Sequence, residues 1–446
     1  MKRKVFVCAA GPLPSEKGIL WQTAYGLRTW QFLHAFKDQD TWDLRLVLLT
    51  DDKNYKEAPE LKIWKKFTFY ENTFSILHLD KDERGFEKRF EKEFHAAEAE
   101  LCLGVNNFPS YILAKLNPQI PFWADLNGWL MAEAQSAAHV HQDDSYLPTL
   151  WKRERCILEN MDKASTASTS QKDASTGELA STFRLNQFTE SWEFFHSIPP
   201  ANELKNDAAS DYKLPLPKDS LSILFCGSYN TWLDEETLYE GVNLAMQKNK
   251  NLHFVSTGSG EESRTNPVVK RFLAQIKNSP HKDRFHFLGR LEKSELLAVY
   301  QQVQGAINLD RDNLETHFGA RNRINEWLHY GVPTISTTGS EFTKDLAKAG
   351  VIFPLPFQDA KELSRVISEE LLTLDRKAWT QKAKEYVSEN YSYSKTLEPL
   401  KEWLKTPKRA PDKGQKLSLS LFSKLQFRIK KDGVLFLFKW CLKKIR

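Results

Sequence analysis

The stretch Gly305 to Thr338, GAINLDRDNLETHFGARNRINEWLHYGVPTISTT, constrains the fold more than any other part of the chain. Ala306 to Leu309 is short and apolar, and Val332 to Ser336 has the β-branched bias of a buried strand. Between them Ile324, Trp327 and Leu328 recur at helical spacing, and Gly331 followed by Pro333 ends the helix. Strand, loop, helix and strand in that succession make one βαβ unit, which forces a parallel sheet with a helix on its face.

The loop and first helical turn then lie at the carboxyl ends of the strands, where open α/β sheets bind ligands. They carry Glu315, Gly319, Arg321 and Arg323, with Glu326 one turn on. Free N–H groups at a helix start and two guanidinium forks suit a pyrophosphate, and a carboxylate one turn in can accept hydrogen bonds from paired sugar hydroxyls. The same residues also read as a solvated helix face with ordinary ion pairs. The rest of the chain decides between the two.

Strands are expected at Lys4–Ala10, Leu44–Leu49, Phe74–Leu79, Leu101–Val105 and Pro121–Leu126, followed by a short strand of small residues at Lys163–Ser168 and a capped helix holding Glu178 and Leu179. The loop GPLPSEKG after the first strand contains Gly11 and Gly18, and Arg28 falls in the first turn of the helix that follows. Its spacing is not G-x-G-x-x-G, so no dinucleotide fingerprint is present. Asp125 and Asn127 fall at the carboxyl end of the fifth strand; Asp125 suits a proton acceptor, a partner for a sugar hydroxyl, or a helix cap.

Pro199 to Asp219 reads as a boundary, and a second strand–helix series runs from Ser222. Three loops at its carboxyl edge are notable: GSYNTW at 227–232 with Asn230 and Trp232, TGSG at 257–260 with Gly258, and Gly289-Arg290. The expected organisation is a first doubly wound domain over 1–200, a linker over 201–219, a second over 220–375, helices over 376–405 packing back on the first domain, and a basic tail over 406–446.

Five scattered cysteines without C-x-x-C spacing fit a reducing, cytoplasmic compartment better than a disulfide frame or zinc site. MKRKVFVCAAGPLP reads as a first strand rather than a signal segment, and no apolar run approaches membrane-spanning length. The net charge of +5 conceals an asymmetry. From Lys405 to Arg446 thirteen Lys and Arg stand against two Asp, which gives +11 and leaves −6 for the preceding chain. Val434, Leu437, Phe438, Cys441, Leu442 and Ile445 follow helical spacing there beside Trp440 and four basic residues, and Leu421, Phe422, Leu425 and Ile429 form a similar stripe. Such a helix suits an anionic membrane surface; packing on the protein's own body and nucleic-acid binding are the other readings.

Several pieces together resemble nucleotide-sugar glycosyltransferases of the GT-B fold, specifically the large retaining family numbered four. They are G-L-R-T at Gly26–Thr29, PFWADLNG, VSTGSG, RFHFLGR, and R-x-R-x-x-E-x-x-x-x-G-x-P from Arg321 to Pro333. The resemblance implies a second domain that holds the donor through Asn230, Trp232, Gly258, Arg290, Gly319, Arg321, Arg323 and Glu326, with Glu326 on the nucleotide ribose. It implies a first domain that holds the acceptor through Gly18, Arg28 and Asn127, with Asp125 and Glu315 as catalytic carboxylates.

Two departures from the family pattern are visible. Ten residues, 316–325, separate Glu315 from Glu326 where the family has seven. The loop Ser228–Trp232 also lacks the usual basic residue, so Arg290, Arg321 or Arg323 has to supply that charge, with Arg321 and Arg323 preferred. Asp310-Arg311-Asp312 mimics a metal-binding D-x-D of a different fold, and neither metal nor cofactor is expected. The implied partners are a nucleotide sugar, a glycan or lipid-linked acceptor and the inner face of the cytoplasmic membrane, without nucleic acid. A GT-B sugar-nucleotide epimerase and a catalytically degenerate membrane-associated scaffold are the competing readings.

Overall fold

Alternation of short apolar runs with amphipathic helices produces two separate sheets. The computed structural model describes residues 2–37, 41–70, 72–203, 208–258 and 266–415, with 426, 427, 429–431 and 433 beyond them. In the first sheet are β1 (Arg3–Ala10), β2 (Trp42–Thr50), β3 (Lys65–Phe69), β4 (Asn72–Asp80), β5 (Leu101–Gly104), β6 (Phe122–Asn127), β7 (Lys163–Thr166) and β8 (Phe195–Ser197). Their order is β3-β4-β2-β1-β5-β6-β7-β8, and only β3 runs antiparallel to its neighbour. The second sheet holds β9 (Leu221–Cys226), β10 (Leu252–Thr257), β11 (Phe285–Phe287), β12 (Gly305–Asn308), β13 (Thr334–Thr337) and β14 (Phe353–Leu355). Its order is β11-β10-β9-β12-β13-β14, with every pair parallel.

Helices on both faces explain why these strands are apolar without alternation. Along β1, Val5, Val7 and Ala9 enter one core with Trp30, Phe32 and Leu33, while Phe6 and Cys8 enter the other. There Phe6 meets the edges of Phe90 and Phe94 at 5.7 and 5.2 Å.

The edge strands β3 and β8 were not expected from the sequence. β3 pairs Lys65 with Ile76 through Phe69 with Asn72, and its two lysines protect an open edge. The central βαβ unit also differs in detail. Its loop contains a short helix, Leu314–Phe318, capped by Asn313, and the main helix runs Asn322–His329. Gly331, at φ 72°, ends it, with Val332 N–H donating to Trp327 O.

Gly26 sits where no other residue fits. A Cβ there would lie 1.8 Å from Pro12 O, which ties the first helix to the loop after β1. Gly26→Ala is therefore expected to lower stability by ~2–3 kcal/mol in urea unfolding, through displacement of that loop.

After the helix Arg376–Asn390 the chain returns to the first domain, whose core takes Tyr393, Leu397, Leu400, Trp403 and Leu404. The outward and return crossings lie side by side. Asn202 N–H donates to Tyr391 O at 3.2 Å, and Tyr393 Oη donates to Asn202 Oδ1 at 3.4 Å. Residues 409–415 then form a strap on the first domain. Ala410 N–H donates to Asp162 Oδ1, and Arg184 makes a buried two-pronged pair with Asp412 at 2.8 Å for both bonds. The apolar stripes expected in the tail fall mostly at 416–425 and 434–446, outside the described residues. Among the described residues no helix is long and apolar enough to cross a membrane.

Candidate active site

Three neighbouring strands of the second sheet each turn at a glycine. Gly227, Gly258 and Gly289 follow β9, β10 and β11 with φ of 115°, 96° and 67°. Gly227 N–H donates to Thr257 O, and Gly258 N–H donates to Gly289 O. A Cβ on Gly258 would lie 2.7 Å from Gly227 N, so the left-handed backbone and the close approach both require glycine. The outcome is a ledge of bare backbone at the carboxyl edge of the sheet.

Arg323 is the cation set on that ledge. It projects from the first turn of the helix Asn322–His329, and its Nη2 donates to Ser228 O at 3.2 Å. A Cβ on Gly227 would lie 3.3 Å from its guanidinium carbon, which also sits 5.1 Å from the Phe225 ring centre. Burial lowers the Arg323 pKa. The charge that the Ser228–Trp232 loop lacks in sequence thus reaches it from another element. One turn along, Glu326 pairs with Lys293, whose ammonium lies 4.9 Å from the Tyr330 ring centre. Glu326 also borders a small interdomain recess with Gln31, Asn202, Asn322 and Asn325.

Arg321 takes a different place from the one expected. Its Nε donates to Asp310 at 2.9 Å, and Nη1 and Nη2 donate to the two oxygens of Glu315 at 3.0 and 2.7 Å. The side chain is only 4% exposed and stacks 5.4 Å from the Trp232 ring centre. Its fork is spent on internal carboxylates, so it does not present itself to a diphosphate. Burial alone would lower the Arg321 pKa, but Asp310 and Glu315 outweigh it and raise it. Gly319 makes room for this pair, because a Cβ there would lie 2.8 Å from both Arg321 Nη1 and Glu315 Oε1. Asp310, read in sequence as a metal-site mimic, is the third member of the cluster. Among the described residues no group of three or more His, Cys, Asp or Glu is placed to hold a metal ion.

Across the cleft from Glu315 stands Glu133, on the helix Leu130–His141. Burial, then the Glu315 charge, push its pKa up to about 7. Trp129 meets Phe318 edge-on at 4.8 Å beside it, and Ser168 Oγ donates to Phe318 O at 2.6 Å. Deeper in the first domain burial raises Glu154 to about 8. Both groups hold protons in the folded state that the unfolded chain releases near pH 4.5. Stability therefore falls as pH rises from about 4.5 through 7 to 8. Glu154→Gln is expected to flatten the decline, with a gain of ~2–4 kcal/mol at pH 8, read from urea unfolding across pH.

In the first domain Asp125 and Arg28 meet. Asp125 is fully buried and accepts from Arg28 Nε and Nη2 at 3.0 and 2.7 Å, from Ser165 Oγ at 2.8 Å and from Asn106 N–H at 3.1 Å. Arg28 is buried too, and donates further to Ile198 O and Gln31 Oε1. The two residues form an internal tie between β6 and the first helix, and Arg28 also lines the recess beside Glu326. Asp125, expected as a catalytic carboxylate, turns onto Arg28, Ser165 and Asn106, while Arg28, expected at the acceptor, pairs with Asp125 at the wall of that recess.

Asn127, at φ 57°, donates to Asn106 Oδ1 at 3.3 Å and sits at the cleft rim. Gly18, at φ 73°, accepts from Lys56 N–H, and Lys56 pairs with Glu292 of the second domain. Arg290 lies 3.3 Å from the Trp21 ring centre across the same boundary. Asn230 O accepts from Leu233 N–H and so shapes its loop. Sequence reasoning missed Lys293 and Glu133 as site members, since only the folded chain brings a lysine of one helix to Glu326 and a first-domain glutamate to Glu315.

No protein-family model and no curated protein matches this sequence. Solved structures do match. Sucrose-phosphate synthase from Thermosynechococcus elongatus superposes with a TM-score of 0.64 at 15% identity, over 91% of this chain and 98% of that one. An α,α-trehalose-phosphate synthase (UDP-forming) from Burkholderia vietnamiensis gives 0.61 at 10%, over 91% and 100%. HepE from Anabaena, in complex with UDP and glucose, gives 0.61 at 11%, again over 91% and 100%. The chain has the GT-B fold. The two doubly wound sheets and the cleft between their carboxyl edges, expected from the motif resemblance, belong to that GT-B architecture.

Proposed function

We propose that this GT-B chain transfers a sugar from a nucleotide-sugar donor to a glycan or lipid-linked acceptor. The observation that carries the reading is the glycine ledge with Arg323 drawn onto it and Glu326 one turn beyond. Ser228 N–H and the Arg323 guanidinium bind the diphosphate over the bare Gly227 backbone, and Glu326, on release from Lys293, accepts from the ribose hydroxyls. Arg321 acts as a positioning residue that holds Glu315 at the cleft beside Glu133.

In the transfer, the acceptor oxygen bonds to the anomeric carbon while the bond from that carbon to the diphosphate oxygen breaks. The acceptor's proton goes to the departing phosphate, and Arg323 stabilises the charge that develops there. Retention, a hexosyl donor and a role in envelope polysaccharide assembly rest on the motif resemblance. A cytoplasmic location on the membrane's inner face rests on the basic tail. No metal takes part in this scheme.

UDP is the first ligand to try, since HepE and the Burkholderia synthase are described with it. A thermal-shift panel of UDP, GDP, ADP, CMP and TDP tests the reading. A selective rise in Tm with one of them supports it; no rise with any, from folded protein, leaves the scaffold reading in its place.

A further inference from the structure

The edge of the first sheet opposite the cleft carries an apolar loop that the transfer chemistry does not use. Phe183, Leu185 and Phe188 are 54%, 48% and 39% exposed within six residues. The loop is held firmly in this display. Thr189 Oγ1 donates to Arg184 O at 2.6 Å, Asn186 Nδ2 donates to Phe183 O at 3.1 Å, and Phe188 N–H donates to Asn186 Oδ1 at 3.0 Å. Phe183 itself adopts φ 62°, a left-handed backbone that a bulky residue rarely takes. Three large apolar side chains fixed outward mark an interaction surface.

Its surroundings indicate the partner. Arg184, inside the loop, is the residue that grips Asp412 of the strap, so the loop and the root of the tail share one spot. The chain beyond, from Lys416 to Arg446, has nine Lys and Arg against one Asp. On the same edge, a cavity of about 290 Å³ lies at the start of β1, lined by Arg3, Trp42, Lys401, Leu404 and Lys405. Lys405 is paired with Glu402, and Arg3 Nη1 donates to Leu404 O, while Lys401 is half-buried. A cationic cavity and a rigid apolar wedge on one edge, with a basic sequence following the strap, suit an anionic bilayer, whose surface carries phosphate over acyl chains.

We infer that this edge docks on an anionic lipid membrane, with Phe183, Leu185 and Phe188 entering the interface. The inference deepens the membrane part of the proposed function. UDP binding reads the donor site separately, so failure of the one is distinguishable from failure of the other.

The test is co-sedimentation of the full chain with phosphatidylcholine vesicles, with and without phosphatidylglycerol. The parent is expected to bind only the anionic vesicles. Phe183→Ser, Leu185→Ser and Phe188→Ser combined should weaken that binding at least about tenfold while Tm and the UDP shift stay unchanged, since the replaced side chains are exposed. Deletion of Lys416–Arg446 should weaken it as well, chiefly at low salt. Two results would overturn the inference: no binding of the parent to anionic vesicles, or binding that needs the tail but is indifferent to the three loop substitutions. The second outcome would mean that the tail alone makes the membrane contact.

Discussion

Replacing Arg323 by Ala should abolish the nucleotide-dependent rise in Tm and lower transfer by about 10²–10³-fold, with little change in the Tm of the unliganded protein. The side chain donates one hydrogen bond to Ser228 O and lies over backbone that has no other basic side chain in its loop. Its removal exposes the glycine ledge without leaving a buried partner charged and alone. Arg321→Ala is the contrasting case. It would strand Asp310 and Glu315, both buried, and should reduce stability before any effect on the donor is read. Equal losses of nucleotide shift in the two variants, with Tm preserved in both, would remove the distinction drawn between them.

The second large effect is on stability. Arg28→Ala leaves the Asp125 carboxylate fully buried without its two-pronged partner, and should cost about 3–5 kcal/mol in urea unfolding. Arg28→Met with Asp125→Asn should recover part of that loss, because the neutral amide oxygen can still accept from Asn106 N–H while its NH2 donates to the Ser165 hydroxyl. A single Asp125→Asn variant that keeps its fold but loses transfer, with acceptor and donor binding intact, would assign Asp125 the catalytic role.

The parallel sheets were legible because their strands are buried on both faces and their helices repeat every three to four residues. The Gly305–Thr338 unit shows this best, since Ile324, Trp327 and Leu328 are all fully buried as their spacing required. What spacing does not carry is the direction in which a polar side chain turns. Arg321 and Arg323 are two residues apart in one motif, yet one faces inward to Asp310 and Glu315 and the other faces the Gly227 loop. Arg28 and Asp125 are 97 positions apart and looked like separate site residues until folding joined them. The strand β3 was missed because its pattern, KKFTF, offers two apolar residues beside two lysines and depends on its partner β4 for definition.

The paired crossings between the domains restrict how the cleft can open. Chain passes from one body to the other at Asn202 and returns at Tyr391, and the two passages are hydrogen-bonded to each other. Two adjacent connections leave one easy axis of rotation and resist twisting about any other. Loading of the donor on one side of the cleft and of the acceptor on the other would then share a single mechanical coordinate, so either event alone alters how readily the other proceeds.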